Sequence, residues 1–550
     1  MHLKVNFVKA IGMKKLFIVI TIVFGQLMVL AQTDSVVNRI ISLGQTDNQT
    51  MVLLDELCNG IGGRLIGSNA YDNAVKWAAS KFEEWGMDVR IEEVGVLPVG
   101  FNRGPWFGRM LSHNGEILHF ATPSYTVGTK GVQRGHVLVE PKSKREFDRM
   151  KGKLKGAWVL IGGQNDGWPI DWSAEGDAHR AEIIARNDSI EAKNDSIRRL
   201  NWQNRNRKEL QKDLIPMIEE PALFYREMVE AGILGIIQSS KLPIRALYDR
   251  KNIEKMSWDN LPKVPDIKLD EHQYAGIRKL VEERQYVMLE FDIRNHFRPG
   301  PVPYHNVFGI IKGTEKPDEL VIVGGHLDAF DVATGASDNA SGVVPAMEAA
   351  RLIMKAGGKP RRTIIVALWT GEEFGLLGST AWVQKYQSLL PKVSAMFNRD
   401  GGPTVPVNIS VPKAMINDFN TICQPLANAN PKYPFKVIEV TPGPRPKHAG
   451  GTDSSPFQMA GVPAFNFGTS DVDGVDFSYG EIWHTERDTY EKCPADYMNH
   501  ASVVNAVVVY GVANLPHLLS REGLFAPDEP VQTSTKTKKI KGKKIDVTVL

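Results

Sequence analysis

The stretch Leu320-Val321-Ile322-Val323-Gly324-Gly325-His326-Leu327-Asp328 decides the fold. Four apolar residues in a row, closed by two glycines, read as a short buried strand that ends in a turn. Further short apolar runs follow at 363–368, 393–397 and 463–467, with helical patterns between them at 341–355 and 376–386. Strands that alternate with helices across 305–518 predict an α/β fold, a mostly parallel or mixed sheet flanked by helices. In such sheets ligands bind outside the carboxyl ends of the strands.

Those ends are where the chemically useful side chains fall. Gly325-His326-Leu327-Asp328 follows the first run, and Ala336-Ser337-Asp338-Asn339 precedes the helix that begins at Ser341. Thr370-Gly371-Glu372-Glu373-Phe374 follows the second run, Asn398-Arg399-Asp400 the third, and Trp483-His484-Thr485 lies after the last. Singly, each has an ordinary explanation. An Asp at a loop–helix junction is usually a cap, and a Glu-Glu pair opening a helix suits the macrodipole. Five together at one end of one sheet are harder to explain so, because gathered carboxylates repel unless cations offset them.

Imidazole and carboxylate donors without thiolates fit divalent zinc, with cobalt or manganese as substitutes. His326 and Asp328 are two apart and face the same side of a continued strand, so the Asp328 carboxylate is expected to hydrogen-bond the imidazole. Adjacent Glu372 and Glu373 side chains diverge. One of them can bind metal while the other serves as a general base for an activated water.

Around this core the chain divides further. Residues 1–31 read as a cleavable signal peptide: Lys14-Lys15, an apolar run from Leu16 to Ala31, and small residues before Gln32. The run is short for a spanning helix, which needs about 20 residues, so no stable membrane span is expected after its removal. Residues 32–119 read as the N-terminal part of the catalytic domain, helical at first, with the loop Gly62-Gly63-Arg64-Leu65-Ile66-Gly67-Ser68 between helices. Residues 120–295 form a separate region with buried strands at 137–139, 157–161 and 235–237. Inside it, 174–213 is a charged helical excursion. It repeats Asn187-Asp188-Ser189-Ile190 at Asn194-Asp195-Ser196-Ile197, and Ile183, Ile190 and Ile197 make an apolar stripe of seven-residue spacing. Too few heptads are present for a zipper, so a solvated helix with one apolar seam is expected. Residues 296–525 are the catalytic core. Residues 526–550 form a Lys-rich tail in which 545–549 is a candidate edge strand.

Charge and cysteine usage narrow the function classes. The full chain balances 66 Lys+Arg against 63 Asp+Glu. Setting aside four Lys in 1–31, and six Lys with three acids in 526–550, leaves 56 basic and 60 acidic residues over 32–525, a balance of −4. That body has no basic excess of the kind nucleic-acid binding needs. The three cysteines, Cys58, Cys423 and Cys493, exclude both a disulfide scaffold and a CxxC metal site.

The motifs Gly325-His326-Leu327-Asp328, Ser337-Asp338-Asn339, Gly371-Glu372-Glu373, Arg399-Asp400 and Trp483-His484 resemble, in order and character, those of the co-catalytic zinc exopeptidases of the bacterial leucyl aminopeptidase and carboxypeptidase Q type. The Gly63 to Ser68 loop is similar to that family's N-terminal element. Residues 120–295 resemble its protease-associated insert, a β-rich α/β domain, through the strand entries 153–160 and 231–237. The resemblance implies two Zn2+ ions bridged by Asp338, with His326 and Asp400 completing one and Glu373 and His484 the other. It implies Glu372 as general base and Asp328 as the residue that orients His326. Tyr479 is a candidate oxyanion donor, and the loop His448 to Asp453 is similar to the family's pocket loop.

The expected protein is therefore a secreted or periplasmic exopeptidase acting on the terminal bond of a peptide or dipeptide, with aminopeptidase action favoured. A carboxypeptidase or dipeptidase is the alternative; it would need a cation for the substrate carboxylate, for which Arg399, Arg445, Lys447 and His448 are candidates. A catalytically inactive peptide-binding protein and a one-metal acyl-transfer cyclase are the readings of other classes. The sequence does not specify an oligomeric state.

Overall fold

Both faces of the strand 320–323 find apolar cover. The structure is a computed structural model, and it describes residues 35–249, 253–527, 535–540 and 543–548. The expected signal segment 1–31 lies outside the described residues. In chain order the strands are β1 (Asp88–Asn102), β2 (Trp106–Met110), β3 (Phe120–Ala121), β4 (Gln133–Val139), β5 (Ala157–Asn165) and β6 (Gly235–Ser240). There follow β7 (Asp266–Asp270), β8 (Met288–Ile293), β9 (His296–Ile311), β10 (Lys316–His326), β11 (Arg362–Trp369), β12 (Val393–Asn398), β13 (Val405–Val411), β14 (Lys436–Glu439), β15 (Ala464–Asn466) and β16 (Gly468–Ser470).

One half of the fold is built on a six-stranded sheet of order β1-β9-β11-β10-β12-β15. β10 pairs in parallel with β11 and β12, and β12 with β15, whereas β9 is antiparallel to both β1 and β11. The sheet is thus mixed, with its parallel half carrying the expected strands. Alternation along β10 splits its side chains between two layers. Val321 and Val323 join the core made with helices Ser341–Lys355 and Ala495–Asn514, while Leu320 and Ile322 join Trp369, Trp382 and Phe457 on the other face. Each such buried aliphatic contributes roughly 1.5–3 kcal/mol.

A second sheet of seven strands runs β2-β8-β4-β5-β6-β7-β3, with β4 to β7 parallel and the rest antiparallel. It takes in Trp106–Met110, ahead of residue 120, because β2 supplies the antiparallel partner that β8 needs. The tail forms a hairpin of its own, Thr535–Ile540 against Lys543–Thr548, rather than an edge strand on either large sheet. Its partner is the adjacent segment, the shortest loop to close. The three cysteines are buried and free.

The charged excursion is one helix, Ala174–Gln203, capped by the Ser173 side chain, which accepts from the Gly176 amide. Its seam is not the expected isoleucine stripe. Of the three isoleucines only Ile183 is fully buried; the repeat instead buries Asn187 and Asn194. Each Asn closes a two-way clasp on the returning chain. Asn187 donates to the Ile218 carbonyl at 3.0 Å and accepts from the Ile218 amide at 2.8 Å; Asn194 does the same with Ile215, both at 2.8 Å. The returning chain at 215–218 belongs to no helix or strand and leaves backbone groups to be paired, and a carboxamide satisfies one donor and one acceptor together, which isoleucine cannot. Asn187→Ala is expected to destabilise this region by about 1–3 kcal/mol through the unpaired backbone groups it leaves, read as a lowered thermal midpoint; Ile197→Ala, half-buried, should cost less.

Candidate metal centre

The parallel strands deliver the candidate side chains to one edge. His326 is the last residue of β10, Glu372 and Glu373 follow β11 by three and four residues, and Asp400 follows β12 by two. Asp338 precedes the helix Ser341–Lys355, and His484 closes the loop after β16.

Each loop is fixed by a buried group. Arg64, fully buried, donates from Nε to the Leu327 carbonyl at 2.8 Å, from Nη1 to Thr334 at 2.8 Å and from Nη2 to Gly335 at 2.9 Å. It thereby ties the turn after His326 to the loop that carries Asp338. Gly63 beside it has no room for a Cβ, which would lie 2.4 Å from the Asp331 Cα. The Asp488 carboxylate accepts from the amides of Ser337 at 2.6 Å and Asp338 at 3.1 Å. Asp328 accepts from the amides of Glu372 and Glu373, both at 3.2 Å. The Tyr248 hydroxyl, from the seven-stranded half, donates to the Glu373 carbonyl at 2.6 Å.

The side chains form two groups around one carboxylate. His326 Nε2 lies 3.2 Å from Asp338 Oδ1 and 3.6 Å from Asp400 Oδ1. His484 Nε2 lies 3.4 Å from Asp338 Oδ2 and 2.9 Å from Glu373 Oε2. Asp338 therefore presents one oxygen to each imidazole. Glu372 Oε2 stands 4.0 Å from His326 Nε2, outside either group. The Tyr479 hydroxyl lies 3.4 Å from Asp338 Oδ2.

Charge of one sign dominates. Burial pushes Glu372 up to about 10, with the charges of Glu373 and Asp400 adding to the effect, and Glu373 up to about 7, with the charge of Asp338 adding. Burial also raises Asp453 to about 7. Burial opposes charge on Asp338 too, yet His326 and His484 hold it below the usual carboxylate range. Conversely the surrounding carboxylates overcome burial at His484, lifting it to about 9, and raise His326 well above the ordinary histidine value.

The donor set fits a divalent metal ion. Among the described residues, Nε2 of both His326 and His484 is buried and makes no hydrogen bond, although carboxylate oxygens lie within 3.6 Å of each. Lone pairs that converge without hydrogen-bond geometry are what ligands of a shared ion present. His326, Asp338 and Glu373 each offer an atom within 4.8 Å of the others.

Two expectations are realised differently. The Asp328 carboxylate stands 3.8 Å from His326 Nδ1, and the imidazole's partner is the Asp328 carbonyl at 2.9 Å. The carboxylate has turned to the two amides of the Glu372-Glu373 turn. Arg399 is buried and donates to the carbonyls of Ser341, Gly402 and Thr404, so it is not placed to receive a substrate carboxylate. Asp453, at the end of the loop His448 to Asp453, accepts from the Ser379 hydroxyl at 2.5 Å, deep in the core. Arg64, Asp488 and Tyr248 are the supports that sequence reasoning did not single out. None sits in a spacing pattern, because each acts on backbone groups far away along the chain.

Residues 306–509 match the sequence model of peptidase family M28. The chain is 25% identical to carboxypeptidase Q of Mus musculus over 514 residues, 90% of this chain and 92% of the relative. With carboxypeptidase Q of Xenopus laevis it is 26% identical over 332 residues, 58% of this chain and 66% of the relative, so this match spans just under two thirds of the relative's length. Among solved structures, a peptidase M28 precursor from Shewanella amazonensis shares the fold with a TM-score of 0.54 at 21% identity, over 90% of this chain and 99% of that one.

The support from Asp488 is open to test. Asp488→Ala frees the amides of Ser337 and Asp338 and is expected to weaken metal binding by about 10–100-fold, measured by competition with a chromophoric chelator.

Proposed function

We propose, from the match of residues 306–509 to peptidase family M28, that this chain is a zinc-dependent exopeptidase hydrolysing the terminal bond of a peptide or dipeptide. The observation that carries this reading is the sharing of Asp338 between two imidazoles, each with its own second carboxylate. His326, Asp338 and Asp400 would hold one Zn2+, and His484, Asp338 and Glu373 the other. Bound there, the ions would supply Lewis-acid polarisation of the scissile carbonyl and acidify a water toward neutrality.

The chain's own residues do the rest. Glu372, the carboxylate left outside both groups, takes the proton of the attacking water and passes it to the departing amine. Asp328 clamps the amides of Glu372 and Glu373, so one acceptor sets the base relative to the neighbouring ligand. Tyr479, whose hydroxyl lies 3.4 Å from Asp338 Oδ2, would donate that hydroxyl to the developing oxyanion.

For the substrate terminus, aminopeptidase action is the first reading. Arg399, the candidate next to Asp400 in sequence, donates to the backbone carbonyls of Ser341, Gly402 and Thr404, which leaves carboxylates as the dominant charge there. Carboxypeptidase or dipeptidase action is the second reading, favoured by the name carboxypeptidase Q of the relatives. The apolar segment after Lys14-Lys15 supports export to the periplasm or the medium. Among the described residues, no helix is long and apolar enough to cross a membrane.

Glu372→Gln is expected to retain about two equivalents of metal while losing about 10²–10⁴-fold in turnover. Normal hydrolysis by that variant would remove Glu372 from the mechanism, and peptide binding without turnover in the native protein would mark an inactive binder. A panel of N-blocked and C-blocked dipeptides fixes the terminus: the aminopeptidase reading expects cleavage to be lost on N-blocking and kept on C-blocking.

A further inference from the structure

We infer that segment 244–248, which belongs to the seven-stranded half, holds the metal position made by Glu373 and His484 and leaves the position made by His326 and Asp400 untouched. The segment follows β6 and reaches across to the catalytic edge as a strap. Ile244 and Glu486 exchange backbone contact: the Glu486 amide donates to the Ile244 carbonyl at 3.0 Å, and the Ile244 amide donates to the Glu486 carboxylate at 3.1 Å. The Ala246 amide donates to the carbonyl of His484 at 3.3 Å. The Tyr248 hydroxyl donates to the carbonyl of Glu373 at 2.6 Å, and its ring stacks on Phe374 at 4.2 Å. Both side chains assigned to one metal are thus held at their own carbonyls by five consecutive residues of the other half.

The strap is itself anchored behind. The Leu247 amide donates to Gly167 at 2.9 Å, and its carbonyl accepts from Ser124 at 2.8 Å. His484 needs holding, since its backbone is left-handed at φ 57° without being glycine. Such a conformation costs on the order of 1–3 kcal/mol and persists only where neighbours enforce it. Phe330, against which Tyr248 also packs, lies 4.0 Å from the His484 ring.

The other metal position is secured differently. His326 is in register with Trp369 on β11 and bonds its own loop through the Asp328 carbonyl. Asp400 follows Arg399, whose amide donates to Gly324 and whose guanidinium is held by Ser341, Gly402 and Thr404. Those bonds arise within the six-stranded half. Tyr248 is accordingly a positioning residue that acts through Glu373, and the two metal positions differ in what they depend on.

The inference rests on the two-metal reading, and the test separates the two. Metal-free native protein and Tyr248→Phe are titrated with Zn2+ against a chromophoric chelator. Tyr248→Phe keeps the stacked ring and removes only the hydroxyl. One equivalent is expected to weaken about 10-fold or more, with the other unchanged. In a Glu373→Gln background, where that equivalent is already lost, Tyr248→Phe should alter nothing further. Glu486→Ala, which cuts the strap's other anchor, should weaken the same equivalent and serves if Tyr248→Phe does not fold. Tyr274→Phe, which removes a hydroxyl-to-carbonyl bond inside the seven-stranded half, should leave both equivalents intact. Two unchanged equivalents in Tyr248→Phe, or an equal loss in both, would overturn the inference alone. A native protein that binds one equivalent would overturn the two-metal reading and this inference with it.

Discussion

The centre depends on one carboxylate serving two imidazoles. Asp338 turns one oxygen toward His326 and the other toward His484, at 3.2 and 3.4 Å. A carboxylate in that role cannot rotate away from either partner, so its loop must be held from outside the side chain. The Asp488 clasp on the amides of Ser337 and Asp338 does this, and Arg64 holds the same loop against the turn after His326. Both supports are buried charges whose hydrogen bonds go to backbone groups. They fix loop shape without competing for the side chains of the centre.

The same arrangement explains the electrostatics. Glu372, Glu373, Asp400, Asp338 and Asp453 stand close together where water is excluded, and burial alone drives several of them toward the neutral form. A site of this kind is stable in its charged form only when cations are part of it. Arg399 and Arg64 direct their hydrogen bonds to carbonyls, so the imidazoles of His326 and His484 are the groups that offset the carboxylates directly. The charge excess that two divalent ions would offset is therefore local to the strand ends, and the near-neutral total of the whole chain conceals it.

Much of this was legible in the sequence because strand ends are marked by simple patterns. The run 320–323 is a strand because four apolar residues can be covered on both faces, and the polar residues just past it had to lie at the sheet's carboxyl edge. The parallel order of β10, β11, β12 and β15 then brings His326, Glu372, Glu373 and Asp400 together. What was not legible is whatever depends on long-range backbone contact. The Asp328 carboxylate has two acceptor atoms to place, and the amides of the Glu372-Glu373 turn claim them ahead of the imidazole, a choice no local spacing encodes. In the charged helix, the apolar stripe was the visible signal, yet the Asn187 and Asn194 repeat makes the binding seam because the returning chain has both an amide and a carbonyl to pair at Ile215 and Ile218. Tyr248 lies 125 residues from Glu373, and only the folded chain relates them.

The central claim is that Asp338 is a bridge between two metal positions. X-ray diffraction from crystals grown with Zn2+, recorded on both sides of the zinc absorption edge, tests it most directly. The account predicts two anomalous peaks separated by about 3.5–4 Å, one among His326, Asp338 and Asp400 and the other among His484, Asp338 and Glu373. A single peak, or a second peak away from Asp338, would contradict it.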